Sequence, residues 1–167
     1  RSCATATVAF PVTALAIAFI RSDCLTGLIR CPATPSSRQR ATSPGRVARG
    51  PGGHASVQVN VDALGNNIVG DAANEPSIAV DLTDSRRVAI GWRQFDTISS
   101  NFRQGGWSYT MDGGQTWTFP GVLTPGVFRS DPVLDSDADG NFYYNSLSVA
   151  GNLQCEVFRS FDGGASW

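Results

Sequence analysis

The chain of 167 residues is long enough for about one ordinary domain. It carries 18 Gly, 9 Pro, 16% charged and 41% hydrophobic residues. That globular but turn-rich composition excludes a coiled coil, a collagen and a highly charged disordered chain, and a net charge of −1 argues against a nucleic-acid-binding domain.

Charge is divided unevenly. Residues 1–50 hold seven Arg and a single acid, Asp23, whereas residues 51–167 hold six Arg and thirteen acids. No lysine occurs. The sequence opens on Arg1 and stops at Trp167 inside a repeated motif, so it reads as a piece of a longer protein.

Ala4 to Ile20 (ATATVAFPVTALAIAFI) is a 17-residue apolar run between Arg1 and Arg21, interrupted by Pro11. A spanning helix needs about 20 strongly apolar residues. The run fits the apolar region of an export signal over 1–22, which predicts a secreted, periplasmic or cell-surface protein. Residues 23–55 read as a flexible linker, because 31–53 is Pro, Ser, Gly and Arg with almost no large apolar residue. Cys3, Cys24, Cys31 and Cys155 could form two disulfides after export, and their spacings match no zinc pattern. Cys155 falls in a predicted strand and reads as a small core residue.

From residue 56 the chain changes character. Ser56–Val61 (SVQVNV) alternates with the period of a half-buried strand. A repeated layout follows. The first copy runs through EPSIAVDLTDS (75–85), RVAIGWRQF (87–95), GGWSYTM (105–111) and TWTFPGVL (116–123). The second runs through DPVLDSDADG (131–140), NFYYNSLSV (141–149) and LQCEVFRSF (153–161). Each copy reads as short strands between Gly, Asp and Asn turns, with no helical periodicity.

The anchor is an octapeptide. Thr110-Met111-Asp112-Gly113-Gly114-Gln115-Thr116-Trp117 recurs as Ser160-Phe161-Asp162-Gly163-Gly164-Ala165-Ser166-Trp167, offset by 50 residues. Its chemistry is that of a hairpin corner. The Asp carboxylate accepts backbone N–H groups across the turn, and the glycines allow positive φ. Hydroxyls add side-chain bonds, and the Trp opens the next strand and buries its ring. A period of 40–50 residues with four strands per unit predicts a β-propeller. The fold class is therefore all-β, with about two blades present: a lead-in strand over 56–73, a blade over 74–124 and an incomplete blade over 125–167. The lead-in strand would complete the last blade of the closed ring.

The two octapeptides resemble the Asp boxes, or BNR repeats, of sialidase-like propellers. Asn74-Glu75-Pro76-Ser77-Ile78-Ala79-Val80, Ile90-Gly91-Trp92-Arg93 and the boxes together resemble bacterial sialidase-family proteins over roughly 74–167. The resemblance implies an exported propeller acting on glycans, as an exo-glycosidase when full length. The alternative is a non-catalytic propeller that binds polysaccharide or protein through its rim. Family members clamp a carboxylate with three arginines, the first in an Arg-Ile-Pro motif; here Asn74-Glu75-Pro76 keeps the Pro and has Asn for Arg. The family's acid/base Asp corresponds to Asp96.

Strand direction gives a site by itself. Strands in a blade run up and down, so the entry to the first strand and the loop between the second and third share one rim. That rim collects the candidate catalytic carboxylates Glu75, Asp96 and Asp131 and the candidate substrate-binding arginines Arg93, Arg103 and Arg129. The Asp boxes fall on the opposite rim. Paired carboxylates are the machinery of glycoside hydrolysis; the structural alternative is that Glu75 and Asp131 cap strand entries and pair with Arg93 or Arg129. Trp92 and Trp107 read either as core or as sugar-stacking rings.

Asp135-Ser136-Asp137-Ala138-Asp139-Gly140 matches the start of a calcium loop, with Ser146 where an EF-hand needs Glu. It reads as an acidic β-turn or as a hairpin Ca²⁺ loop. No other cofactor is expected. His54, the lone histidine, lies in the linker, and no phosphate loop or dinucleotide fingerprint is present. Glycan or polysaccharide is the expected partner, not nucleic acid or a nucleotide.

Overall fold

The computed structural model describes residues 55–167 together with two short strands, β1 (Ala16–Phe19) and β2 (Val47–Arg49). β3 (Ala55–Gln58) pairs parallel with β1 and antiparallel with β2. The rest of the export-signal and linker readings lies outside the described residues, as do Cys3, Cys24, Cys31 and His54.

The repeat forms two antiparallel sheets. The first is a meander of β4 (Ala72–Val80), β5 (Val88–Phe95), β6 (Gln104–Thr110) and β7 (Thr118–Leu123), hydrogen-bonded in that order. The second contains β8 (Arg129–Ser136), β9 (Phe142–Ala150) and β10 (Asn152–Ser160). The described residues are all-β, with no helix.

Both octapeptides fold into the same corner. Thr110 and Ser160 each donate a hydroxyl to Oδ1 of their Asp at 2.7 Å. The same hydroxyls accept the N–H of Gly114 at 3.0 Å and Gly164 at 2.9 Å. Oδ1 of Asp112 and Asp162 accepts the N–H of Thr116 and Ser166, each at 2.9 Å, and Oδ2 accepts their hydroxyls at 2.6 Å. Gly113 and Gly114 have φ of 74° and 86°, Gly163 and Gly164 72° and 89°. These values are open to glycine and strained for other residues. The carboxylates are thus occupied by their own turns.

Alternation along the strands gives the first sheet two apolar faces. On one, Ile90, Trp92 and Ala73 bury against Val59, with Ile78, Trp117 and Phe119 packed around them. Ser108 Oγ donates to Val59 O at 2.7 Å, tying the 55–61 segment onto that face. On the other, Ala79, Ala89, Trp107 and Leu123 pack against Leu134, Phe142 and Tyr144 of the second sheet. A Cβ on Gly91 would lie 2.4 Å from the Tyr144 ring and 2.6 Å from Leu134, so only glycine admits that ring. Trp92 is fully buried and Trp107 is 9% exposed, which settles both as core.

The second corner seats on the first sheet. Trp107 Nε1 donates to Gly164 O at 3.0 Å. Along the β4–β8 contact, Leu134 N–H donates to Ser77 Oγ at 2.8 Å and Ser136 Oγ to Val80 O at 2.6 Å. One expectation fails. Cys155 is exposed on β10, because the face it shares with Val133, Val149, Leu153 and Val157 is uncovered.

Turn carboxylates make the fold acid-sensitive. Burial pushes the Asp112 and Asp162 carboxyls upward, but the hydroxyl and amide bonds of Thr116 and Ser166 outweigh it and hold both below the usual range. Asp137, bonded by the side chain and backbone of Asn141 and by Tyr143, is held down to about 2. A folded-state value below the unfolded one stabilises above pH ~4, and the benefit disappears as pH falls. The melting temperature of the protein is therefore expected to drop between pH 4 and pH 2, measured by circular dichroism, and a flat profile there counts against these bonds. Asp112→Ala is expected to cost about 1–3 kcal/mol in denaturant unfolding through unsatisfied turn amides. Gly91→Ala is expected to cost about 1–3 kcal/mol by overpacking against Tyr144.

Candidate functional site

Strand direction sorts the carboxylates between two ends. The β4–β5 and β8–β9 turns and both octapeptide corners occupy one end. The other is formed by the start of β4, the β5–β6 loop (96–103), the β7–β8 loop (124–128) and the start of β8. Glu75, Arg93, Asp96, Arg103, Arg129 and Asp131 all lie at this second end, away from Asp112 and Asp162.

The entries of β4 and β8 are built alike. Glu75-Pro76 and Asp131-Pro132 each sit in a register shift, between Asn74 and Ser77 and between Ser130 and Val133. Glu75 has φ 53° and Asp131 φ 50°. Thr124, with φ 48°, is the third positive-φ non-glycine among the described residues. All three lie at the loop end. Such conformations cost of order 1–3 kcal/mol and persist only where the surroundings enforce them.

The six candidates fall into separate local sets. Arg93 forms an ion pair with Glu75 and donates Nε–H to Asn74 Oδ1 at 2.7 Å. Arg129, 3% exposed, forms an ion pair with Glu156, donates to Thr124 Oγ1 at 3.2 Å, and lies 4.6 Å over the Phe158 ring. Arg103 donates Nε–H to Ser130 Oγ at 3.2 Å, and Ser130 donates that hydroxyl to Asp131 Oδ1 at 2.8 Å. Asp96 is exposed and accepts from Gln104 Nε2 at 3.4 Å; Gln104 Oε1 accepts the N–H of Gly126 at 2.6 Å. Among the described residues, no hydrogen bond or ion pair joins Glu75, Asp96 and Asp131 to one another. The pairing of Glu75 with Arg93 follows the structural alternative. Asp131 instead meets Ser130, and the carboxylate on Arg129 is Glu156.

Glu156, Thr124, Ser130, Phe102 and Phe128 were not singled out in the sequence. Phe102 and Phe128 stack edge-on, 6.2 Å between centroids at 65°. The Arg103 guanidinium lies 4.8 Å over the Phe128 ring. Arg129 N–H donates to Arg103 O at 2.9 Å, fastening the β5–β6 loop to the start of β8.

In the 135–140 loop, Asp137 Oδ1 accepts the N–H groups of Asp139 and Asn141, at 3.0 and 2.9 Å, and Oδ2 accepts the Tyr143 hydroxyl at 2.8 Å. Asp135 Oδ1 accepts the Ser136 N–H at 2.8 Å. Among the described residues no group of three or more His, Cys, Asp or Glu is placed to hold a metal ion. A cavity of about 340 Å³ lies at the opposite end, between Gln58, Val61 and Trp117. No loop-end candidate lines it.

Compared with known proteins, the chain matches no family model, no curated protein and no solved structure.

Glycine at a positive-φ acidic position removes strain and carboxylate together. Asp131→Gly is expected to raise unfolding stability by about 1 kcal/mol, read in urea. A loss of stability would mean that the Asp131–Ser130–Arg103 chain outweighs the backbone strain.

Proposed function

We propose that the chain is part of an Asp-box β-propeller of the sialidase superfamily, exported, acting on glycans as an exo-glycosidase at its loop end. The observation that carries this reading is the duplicated corner. Two octapeptides, 50 residues apart, adopt one hydrogen-bond pattern, and the second seats on the first sheet through Trp107 and Gly164. Units that stack face to face around an axis are the construction of a propeller. The corners fix the frame, and the loop end carries exposed carboxylates at enforced, strained positions. In this reading Asp96 is the acid/base, and Glu75 and Asp131 flank the bond to be cleaved.

A second reading, glycan binding without hydrolysis, is favoured by the ion pairs. Arg93 and Arg129 are neutralised by Glu75 and Glu156, which leaves them poorly placed to clamp a substrate carboxylate.

The test uses the complete protein against a panel of 4-methylumbelliferyl glycosides, including the sialoside. Hydrolysis lost in Asp96→Asn, with binding retained, is the expected outcome for the enzyme. Binding without turnover of any glycoside selects the second reading. Neither binding nor turnover ends both.

A further inference from the structure

We propose that Phe102 and Phe128, beside Asp131, form a subsite for the carbon-rich face of a neutral sugar ring. This rests on the glycan reading above and specifies which sugar chemistry the loop end accepts.

Phe102 is 41% exposed and Ile98, on the same loop, 45%. The aromatic pair is held in place. The edge-on stack sets Phe102 against Phe128, the Arg103 guanidinium covers the Phe128 ring, and Arg103 continues through Ser130 to Asp131. An apolar plate is therefore linked to an exposed carboxylate through one guanidinium and the buried Ser130 hydroxyl. Ligand sites combine aromatic walls with a few polar groups in this way. A sugar ring offers the complementary pair: a face of C–H groups for the plate, and an edge of hydroxyl donors for the carboxylate.

The charges select a neutral ring. Among the described residues, Arg103 alone of the three loop-end arginines has no carboxylate ion pair, and it is engaged by Ser130 and the Phe128 ring. Asp131 and Asp96 are both exposed at this end and repel an anionic sugar. A carboxylate-bearing sugar would meet two negative charges and one shared guanidinium.

Saturation-transfer NMR and titration of the complete protein with lactose, cellobiose and 3′-sialyllactose test this. A neutral disaccharide is expected to bind, with saturation strongest on its ring C–H protons, and 3′-sialyllactose to bind no more tightly than lactose. Phe102→Ala is expected to weaken binding about three- to tenfold. Phe102→Trp keeps the plate, is expected to retain binding, and adds an indole whose fluorescence reports the ligand. Unchanged affinity in a folded Phe102→Ala, or in Phe128→Ala, overturns the subsite and leaves the glycan reading standing. Tighter binding of 3′-sialyllactose than of lactose, lost in Arg103→Ala, overturns the neutral preference. No binding of any probe by the wild-type protein overturns the subsite and the glycan reading together.

Discussion

One interaction organises the molecule: the Asp carboxylate that closes each corner on the N–H and hydroxyl four residues ahead, Thr116 for Asp112 and Ser166 for Asp162. The bond reverses the chain tightly enough that the following Trp enters a core. Trp117 packs beside Ile90 and Trp92, and Trp167 meets Tyr144 edge-on at 5.6 Å. In the second corner, Gly163 and Gly164 let the turn seat closely on the first sheet. A Cβ on Gly164 would lie 2.9 Å from Ala89. Closing the turn and joining the sheets are therefore one event. A side chain at that glycine would disturb both.

The two ends divide the work of the carboxylates. At the corner end, Asp81, Asp112, Asp137 and Asp162 accept bonds from their own turns. These groups are low in energy as anions and have little left to offer a ligand. At the loop end, Glu75, Asp96 and Asp131 bond side chains rather than turn amides. Two of the three stand on a left-handed backbone. Satisfied turn carboxylates gather at one end and strained backbone at the other, a distribution proteins commonly use to hold reactive groups.

What the sequence made legible was what depends on near neighbours. Strand alternation and the 50-residue offset placed the strands to within a few residues, and the octapeptide carried its own hydrogen bonds. The shared end of Glu75, Asp96 and Asp131 followed from strand direction alone. What was hidden depends on contacts across the sheet. Arg129 and Glu156 lie on β8 and β10, with β9 between them. Ser148 and Ser146, their register partners on that intervening strand, are small and buried. No local pattern announces such a pair. Cys155 follows an alternating strand and still meets water, because burial is decided by whether another layer covers its face. Phe102 and Phe128 sit in loops without periodicity, and their stacking required the fold that brings the β5–β6 and β7–β8 loops together.

The stacking is directional, and this bears on the site. The first sheet shows Ile78, Ile90 and Trp92 to the 55–61 segment and Ala79, Ala89 and Trp107 to the second sheet. The second sheet meets it with Leu134 and Tyr144, the counterparts in register of Ile78 and Ile90. The first sheet thus meets its two neighbours with unlike faces. A contact between unlike faces does not terminate itself: it propagates, or it closes into a ring. In the proposed propeller, ring closure would cover both faces of every unit and set β4 and β8, which Ser77 and Ser136 stitch together, side by side toward a common axis. Glu75 and Asp131, at equivalent bulges on those strands, would then recur around the mouth of one channel. In the proposed propeller, the head-to-tail packing of the sheets is what turns a repeated strand entry into a single site.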